Sequence, residues 1–345
     1  SARGDWGAID ILMRRSADGG ATWSAPHKIV DLGYRLPKNP VALEKGLAGA
    51  DEQTFNNPVA IVDRQTGAVH FLFCAEYCRC FYMRSDNDGL TFTRPVEITT
   101  TFDAFRPEYD WRVLATGPGH GIQLDKGRLL VPVWLSEGTG SHAHRPSCVA
   151  TIYSDDHGAT WKRGEIVVHD SEQFANPSET VALQLTDGRV MLNIRSEASE
   201  HRRLVSFSAD GARGWSTPVF DEALFEPICF AALERLSGPP KPRILFVNPD
   251  SSALGASPND PRGWRRENLT LRLSYDEGQT WPIARVIDPD IAGYADLAVG
   301  PDGAIYCLYE GGGIGGNMYH CTHVTLARLN LEWLSAGRDS LEGQG

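Results

Sequence analysis

The sequence predicts an all-β chain built as a β-propeller of antiparallel blades. Three observations carry that expectation. A short turn motif returns along the chain, each copy follows a segment of alternating apolar and polar residues, and helical periodicity is nearly absent.

The motif is Ser16-Ala17-Asp18-Gly19-Gly20-Ala21-Thr22-Trp23. It returns as Ser85-Asp86-Asn87-Asp88-Gly89-Leu90-Thr91-Phe92, as Ser154-Asp155-Asp156-His157-Gly158-Ala159-Thr160-Trp161 and as Ser274-Tyr275-Asp276-Glu277-Gly278-Gln279-Thr280-Trp281. A worn copy is Ser208-Ala209-Asp210-Gly211-Ala212-Arg213-Gly214-Trp215. This is the Asp-box pattern S-x-D-x-G-x-T-W. The small and acidic residues can bond their own backbone through a hairpin turn, the glycine can take positive φ, and the terminal aromatic is expected to fold back as a plug. These residues are read as turn holders with no catalytic role. Their spacing of roughly 55 to 70 residues exceeds that of a compact blade, so long loops are expected at one end of each blade.

Alternation marks the strands at Ile9–Arg15, Val69–Phe73, Cys80–Arg84, Arg128–Leu135, Val149–Tyr153, Thr180–Leu185, Val190–Arg195, Arg243–Val247, Leu269–Leu273, Ile305–Glu310 and Val324–Leu331. A helical turn is expected only at Leu331–Ala336. No Ser- or Pro-rich linker interrupts the pattern, so residues 1–345 read as one domain, with Ser252–Arg262 as a surface loop.

A chain of 345 residues with 41% hydrophobic composition can bury a full core. The formal charge of −11 argues against a surface that holds nucleic acid or anionic membrane, so any anionic ligand must meet a local cluster of arginines. No apolar run reaches the roughly eighteen residues of a membrane span, and Ser1–Ile9 lacks the regions of a signal peptide. The compartment stays open, with a secreted or periplasmic one favoured. Seven cysteines, including Cys78 and Cys80, match neither a disulfide framework nor a zinc pattern and read as mostly buried thiols.

Further segments narrow the class. Asp5-Trp6-Gly7-Ala8-Ile9-Asp10 runs into Arg14-Arg15-Ser16, and with it stand Cys80-Phe81-Tyr82-Met83-Arg84-Ser85, Gly117-Pro118-Gly119-His120-Gly121-Ile122, Asn193-Ile194-Arg195-Ser196, Gly293-Tyr294-Ala295-Asp296-Leu297 and Leu308-Tyr309-Glu310. Together they resemble the bacterial and animal exo-sialidase family over essentially the whole chain. The resemblance implies a six-bladed, sialidase-like β-propeller, here with its first blade lacking the opening strand. It also implies a retaining glycoside hydrolase that removes terminal sialic acids from sialylated glycans without a cofactor.

A sialic acid carries a carboxylate on its anomeric carbon, and the planar fork of an arginine suits that group. By the resemblance, Arg195 and Arg266 belong to the family's three carboxylate-binding arginines, with Arg265 as the adjacent alternative to Arg266. The third comes from a segment about twenty-five residues before the acid/base aspartate, and this chain begins four residues before it. Tyr294 matches the nucleophile: a neutral phenol is not repelled by the substrate carboxylate as another carboxylate is. Glu179, in Pro177-Ser178-Glu179-Thr180, matches the base that activates it. Asp5 matches the general acid, shielded by Trp6, with Asp10 as a competitor that more plainly faces solvent.

Two other patterns carry nothing. Gly311, Gly313 and Gly316 spell G-x-G-x-x-G, but the following His320–Leu331 alternates as a strand, so no helix N-terminus awaits a phosphate. His142, His144 and Cys148 lack a fourth ligand at useful spacing, so no metal is assigned. The competing functions are an inactive sialic-acid-binding or protein-interaction propeller, and a trans-sialidase. Keeping Asp5, Glu179 and Tyr294 together argues against mere binding, which needs the arginines alone.

Overall fold

The computed structural model describes residues 4–255 and 265–341. The four good Asp-boxes close in the same way. The leading serine hydroxyl donates to the acid or amide two residues on, at 2.8 to 3.0 Å. It also accepts the glycine N–H four residues on, at 2.8 to 2.9 Å. The acid or amide oxygen accepts the threonine N–H at 2.8 to 2.9 Å. In the worn copy the bonds shift by one residue, and Asp210 takes the N–H groups of Ala212 and Arg213 instead.

The aromatic plug holds for only part of the set. Trp161 and Trp281 are buried, and the Phe92 ring packs 5.7 Å from Phe71. Trp23 is 41% exposed and its indole N–H turns back to the Gly20 carbonyl. The first box adjoins only a two-stranded ribbon, so little sheet surface is available for its ring to cover.

The strands fall into that ribbon and into sheets of five, five, four and six strands among the described residues. Six separate blades do not appear. The reason lies in Ile283–Val299, a continuous 17-residue strand. Its first half pairs with Glu267–Ser274 and its second with Ile305–Gly311, which fuses two meanders into one six-stranded sheet. At the other end of the sequence, Leu12–Met13 pairs with His27–Lys28 alone, a much shorter element than the alternation of Ile9–Arg15 predicted. Elsewhere the observed strands lie within a few residues of the expected ones, as in Val69–Ala75, Leu129–Ser136, Ser147–Ser154 and Arg243–Pro249.

Three short α-helices occur among the described residues, and only Leu331–Ser335 was expected. Pro40–Glu44 starts behind Asn39, whose side chain caps the Val41 N–H, with proline in the first turn. Thr99–Asp103 has no side-chain cap. Part of the expected loop Ser252–Arg262 lies outside the described residues. All seven cysteines are free thiols, five of them buried.

The chain divides into two compact units: Ser1–Gln184 with Gly188–Ile194 and Ser206–Pro218, and Leu185–Asp187 with Arg195–Val205 and Val219–Gly345. In the first unit, Phe55, Phe73 and Phe81 build an aromatic core, with Phe73 stacked on Phe81 at 5.4 Å. In the second, Leu245, Leu269, Leu271, Ile305 and Cys307 pack with Leu331 and Leu334 of the last helix. No helix among the described residues is long and apolar enough to cross a membrane.

Candidate active site

In the second unit the fused strand carries Tyr294 just after Ala292, where the ladder to Ile305–Gly311 slips register. Its backbone N–H donates to the Glu310 carboxylate at 3.2 Å. Gly293 leaves room for that carboxylate: a Cβ at that position would stand 2.6 Å from a Glu310 carboxylate oxygen. The half-buried Tyr294 side chain leans on Phe230, ring centres 5.8 Å apart.

Two arginines meet this tyrosine. Arg195 Nη1 donates to the Tyr294 hydroxyl at 2.9 Å. The Arg266 guanidinium lies over the Tyr294 ring at 5.3 Å and over the Tyr319 ring at 4.9 Å. Arg266 is 8% exposed, donates through Nη2 to the Ile228 carbonyl at 2.5 Å, and keeps a buried Nε that makes no hydrogen bond among the described residues. Arg265, the alternative, instead pairs with Glu267 at 3.2 Å. Burial and stacking therefore put Arg266, not its neighbour, beside Tyr294.

In the first unit Asp5 sits exposed in a single 3-10 turn, Gly4–Trp6. That turn is held from below. The Trp6 carbonyl accepts from Lys38 Nζ at 3.1 Å and from the Thr54 hydroxyl at 3.0 Å. Lys38 is paired with the fully buried Glu76 at 2.9 Å, and Glu76 also accepts the Thr54 N–H at 2.7 Å. The Trp6 ring is buried rather than spread over Asp5, and packs on Tyr77 at 4.5 Å and His144 at 5.3 Å. Asp10 pairs with Lys28 in solvent, away from any such support.

Glu179 is buried at the end of the strand Thr180–Gln184. The preceding segment is tied down by the Ser147 hydroxyl, which donates to the Pro177 carbonyl at 2.9 Å. Thr180 pairs with Ile194 at the open end of its hairpin, with Glu179 preceding the one and Arg195 following the other in the chain. Burial pushes the Tyr77 phenol well above its ordinary pKa, and the negative charges of Asp5 and Glu179 push it further. Both carboxylates therefore lie within electrostatic reach of Tyr77.

Sequence reasoning missed Phe230, Tyr319 and Tyr77, whose rings meet residues it named, and the buried ion pairs Arg203 with Glu226 in the second unit and Lys38 with Glu76 in the first. Tyr319 was hidden in the glycine-rich stretch dismissed as a spurious phosphate loop. That stretch does lead to a strand, His323–Leu329, through a short 3-10 turn. Of the three residues considered for a metal, His144 meets Trp134 edge-on at 5.1 Å and Cys148 is buried. No group of three or more His, Cys, Asp or Glu is placed to hold a metal ion among the described residues.

The model of the BNR repeat-like domain family matches residues 1–307. The chain is 28% identical to a sialidase of Micromonospora viridifaciens over 95% of its length and 47% of that relative's. It is 26% identical to a sialidase of Bacteroides fragilis over 88% of the chain and 54% of the relative. It thus spans about half the length of these two relatives. Against Sialidase-3 of Bos taurus it is 25% identical, covering 74% of this chain and 71% of that one. Among solved structures, the Hadza microbial sialidase Hz136 superposes with a TM-score of 0.73 at 24% identity, covering 96% of this chain and 61% of the other. The leech intramolecular trans-sialidase gives a TM-score of 0.73 at 17% identity, covering 96% and 65%. These likenesses show that the all-β, propeller-like fold is that of sialidase structures. With the family model matched over most of its length, the chain belongs to the BNR repeat-like domain family.

Proposed function

We propose that this protein is a retaining exo-sialidase that cleaves terminal sialic acids from sialylated glycans through a tyrosyl–glycosyl intermediate. One observation carries the reading: a tyrosine hydroxyl that accepts a hydrogen bond from one arginine while a second, buried arginine lies on its ring. Two guanidinium groups beside one phenol support a reading in which anion recognition and the nucleophile share a site. The unused, buried Nε of Arg266 suits a ligand carboxylate, because a desolvated guanidinium donor is otherwise costly to leave unmade.

In this reading Arg195 and Arg266 grip the substrate carboxylate, and the Tyr294 oxygen attacks the anomeric carbon. Glu179 accepts the phenolic proton as the new C–O bond forms. Asp5 gives a proton to the departing glycosidic oxygen as the old C–O bond breaks, then takes one from the water that attacks the sugar, while the Tyr294–sugar bond breaks and Glu179 returns its proton to the phenol oxygen. Whether water or a sugar hydroxyl receives the sialyl group is a question of acceptor, and two of the solved structures with this fold are described as intramolecular trans-sialidases.

The test is trapping. A fluorinated sialic acid should add its mass covalently to the parent and not to Tyr294→Phe, while the variant still binds a sialic acid transition-state analogue. Product analysis by mass spectrometry should give free sialic acid. Labelling of a different residue, or unimpaired turnover by the variant, would reject Tyr294 as the nucleophile.

A further inference from the structure

The geometry points to Arg203 and Glu226 as a buried positioning pair for Arg266 and Tyr294, acting through the turn Glu226–Phe230 that they hold closed. This rests on the reading of Arg266 and Tyr294 as site residues.

Both side chains are fully buried, and Arg203 Nη1 meets a Glu226 carboxylate oxygen at 2.5 Å. The same Nη1 donates to the Cys229 carbonyl at 3.2 Å. The other Glu226 oxygen accepts the Cys229 N–H at 3.0 Å, and the Glu226 backbone N–H donates to the His201 carbonyl at 3.0 Å. One guanidinium and one carboxylate thus tie Glu226 to Cys229 within this turn.

What the clamp holds is strained. Ile228 sits at φ 55°, a left-handed conformation that a β-branched side chain disfavours, so surrounding contacts must impose it. That conformation aims the Ile228 carbonyl at Arg266 Nη2, and two residues on the Phe230 ring meets Tyr294. The middle of the turn thereby fixes the buried arginine and its last residue meets the tyrosine. Burial raises the Glu226 carboxyl above its usual range, against the pull of the Arg203 and then the Arg195 charge, so Arg195 also lies within reach of this carboxylate. A buried ion pair stabilises a fold little more than an apolar pair of the same volume does, so its use under this turn is better explained by geometry.

The test uses the full chain and the double variant Arg203→Met/Glu226→Leu, which leaves no lone charge behind. Its thermal midpoint is expected to stay near the parent's, while kcat/KM on a sialoside falls about 100-fold, with KM raised through Arg266 and kcat lowered through Tyr294. Phe230→Leu, which removes the ring contact with Tyr294 and leaves Arg203 and Glu226 unchanged, is expected to lower kcat and spare KM. A crystal structure of the double variant is expected to show Ile228 out of the left-handed region and Arg266 detached from its carbonyl. A double variant that keeps kcat/KM within about threefold, or keeps Ile228 and Arg266 in place, overturns the proposal. So does an unchanged kcat in Phe230→Leu. If the parent does not cleave the sialoside, the functional reading fails by itself, and the crystal structure still decides the positioning role. If the double variant does not fold, Phe230→Leu decides it.

Discussion

Arg195 Nη1 reaches the hydroxyl of Tyr294 at 2.9 Å, across 99 positions of sequence. A guanidinium there stabilises negative charge developing on the phenol oxygen and can turn a second donor edge to a substrate carboxylate. Arg195→Ala is therefore expected to weaken binding of a sialic acid transition-state analogue by about 3 kcal/mol, roughly two orders of magnitude. Arg195→Lys should recover only part, since an ammonium keeps the charge and loses the fork. Calorimetric titration checks this, and unaltered affinity in the alanine variant would remove Arg195 from the site.

Asp5 is exposed on a turn pinned by Lys38 and Thr54, so its substitution should leave the fold intact. As a general acid it matters only where the leaving group needs a proton. Asp5→Asn is expected to slow cleavage of a natural sialoside about 100- to 10,000-fold and that of an aryl sialoside with an acidic phenol far less. Equal losses on the two substrates, measured as kcat/KM, would assign Asp5 another role.

Gly158 has φ 82°, and a Cβ there would stand 2.4 Å from the Tyr82 hydroxyl and 2.8 Å from His70 Nδ1. The turn bonds of this Asp-box depend on that backbone. Gly158→Ala is expected to destabilise the protein by about 2 kcal/mol or more. The same change at Gly188, also at positive φ but with open space around it, should cost less. Denaturant unfolding of the two variants compares them directly, and equal losses would show that backbone strain alone decides.

The fully buried Asp63 carboxylate takes His157 Nδ1 at 2.6 Å and the Gln123 amide at 2.7 Å. Burial would raise its pKa, but the bonds from His157, Gln123 and the Gln65 N–H outweigh this and hold it well below the carboxylate range. Nearby His70 is lowered, chiefly by burial. Both shifts act in one direction. Below about pH 6.5 the unfolded chain takes up a proton that His70 refuses when folded, and below about pH 4 the same holds for Asp63. The thermal midpoint should therefore fall as pH drops from about 7 to about 2. His70→Gln should flatten the upper part of that fall. Asp63→Asn should flatten the lower part and cost about 2 to 3 kcal/mol at pH 7. A midpoint that rises on acidification would contradict both assignments.

The Asp-boxes could be read from the chain because each closes on itself. Ser154, Asp156, Gly158 and Thr160 bond within seven residues, so their order in sequence is already their geometry. Strand alternation was legible for a related reason: successive side chains face opposite ways wherever the strand finally lies. The number of sheets was not, because it turns on whether Ile283–Val299 breaks or runs through, and that depends on partners from both sides. Nor could the sequence choose between Arg265 and Arg266. Their identities are alike, and the choice came from burial: Arg266 stacks between Tyr294 and Tyr319 while Arg265 turns to Glu267. The buried ion pairs, Lys38 with Glu76 and Arg203 with Glu226, left no periodic trace at all. A charge in a sequence reads as solvated until tertiary packing brings its partner into the same dry space, and only then does it become cheaper to bury the two together than to leave one there alone.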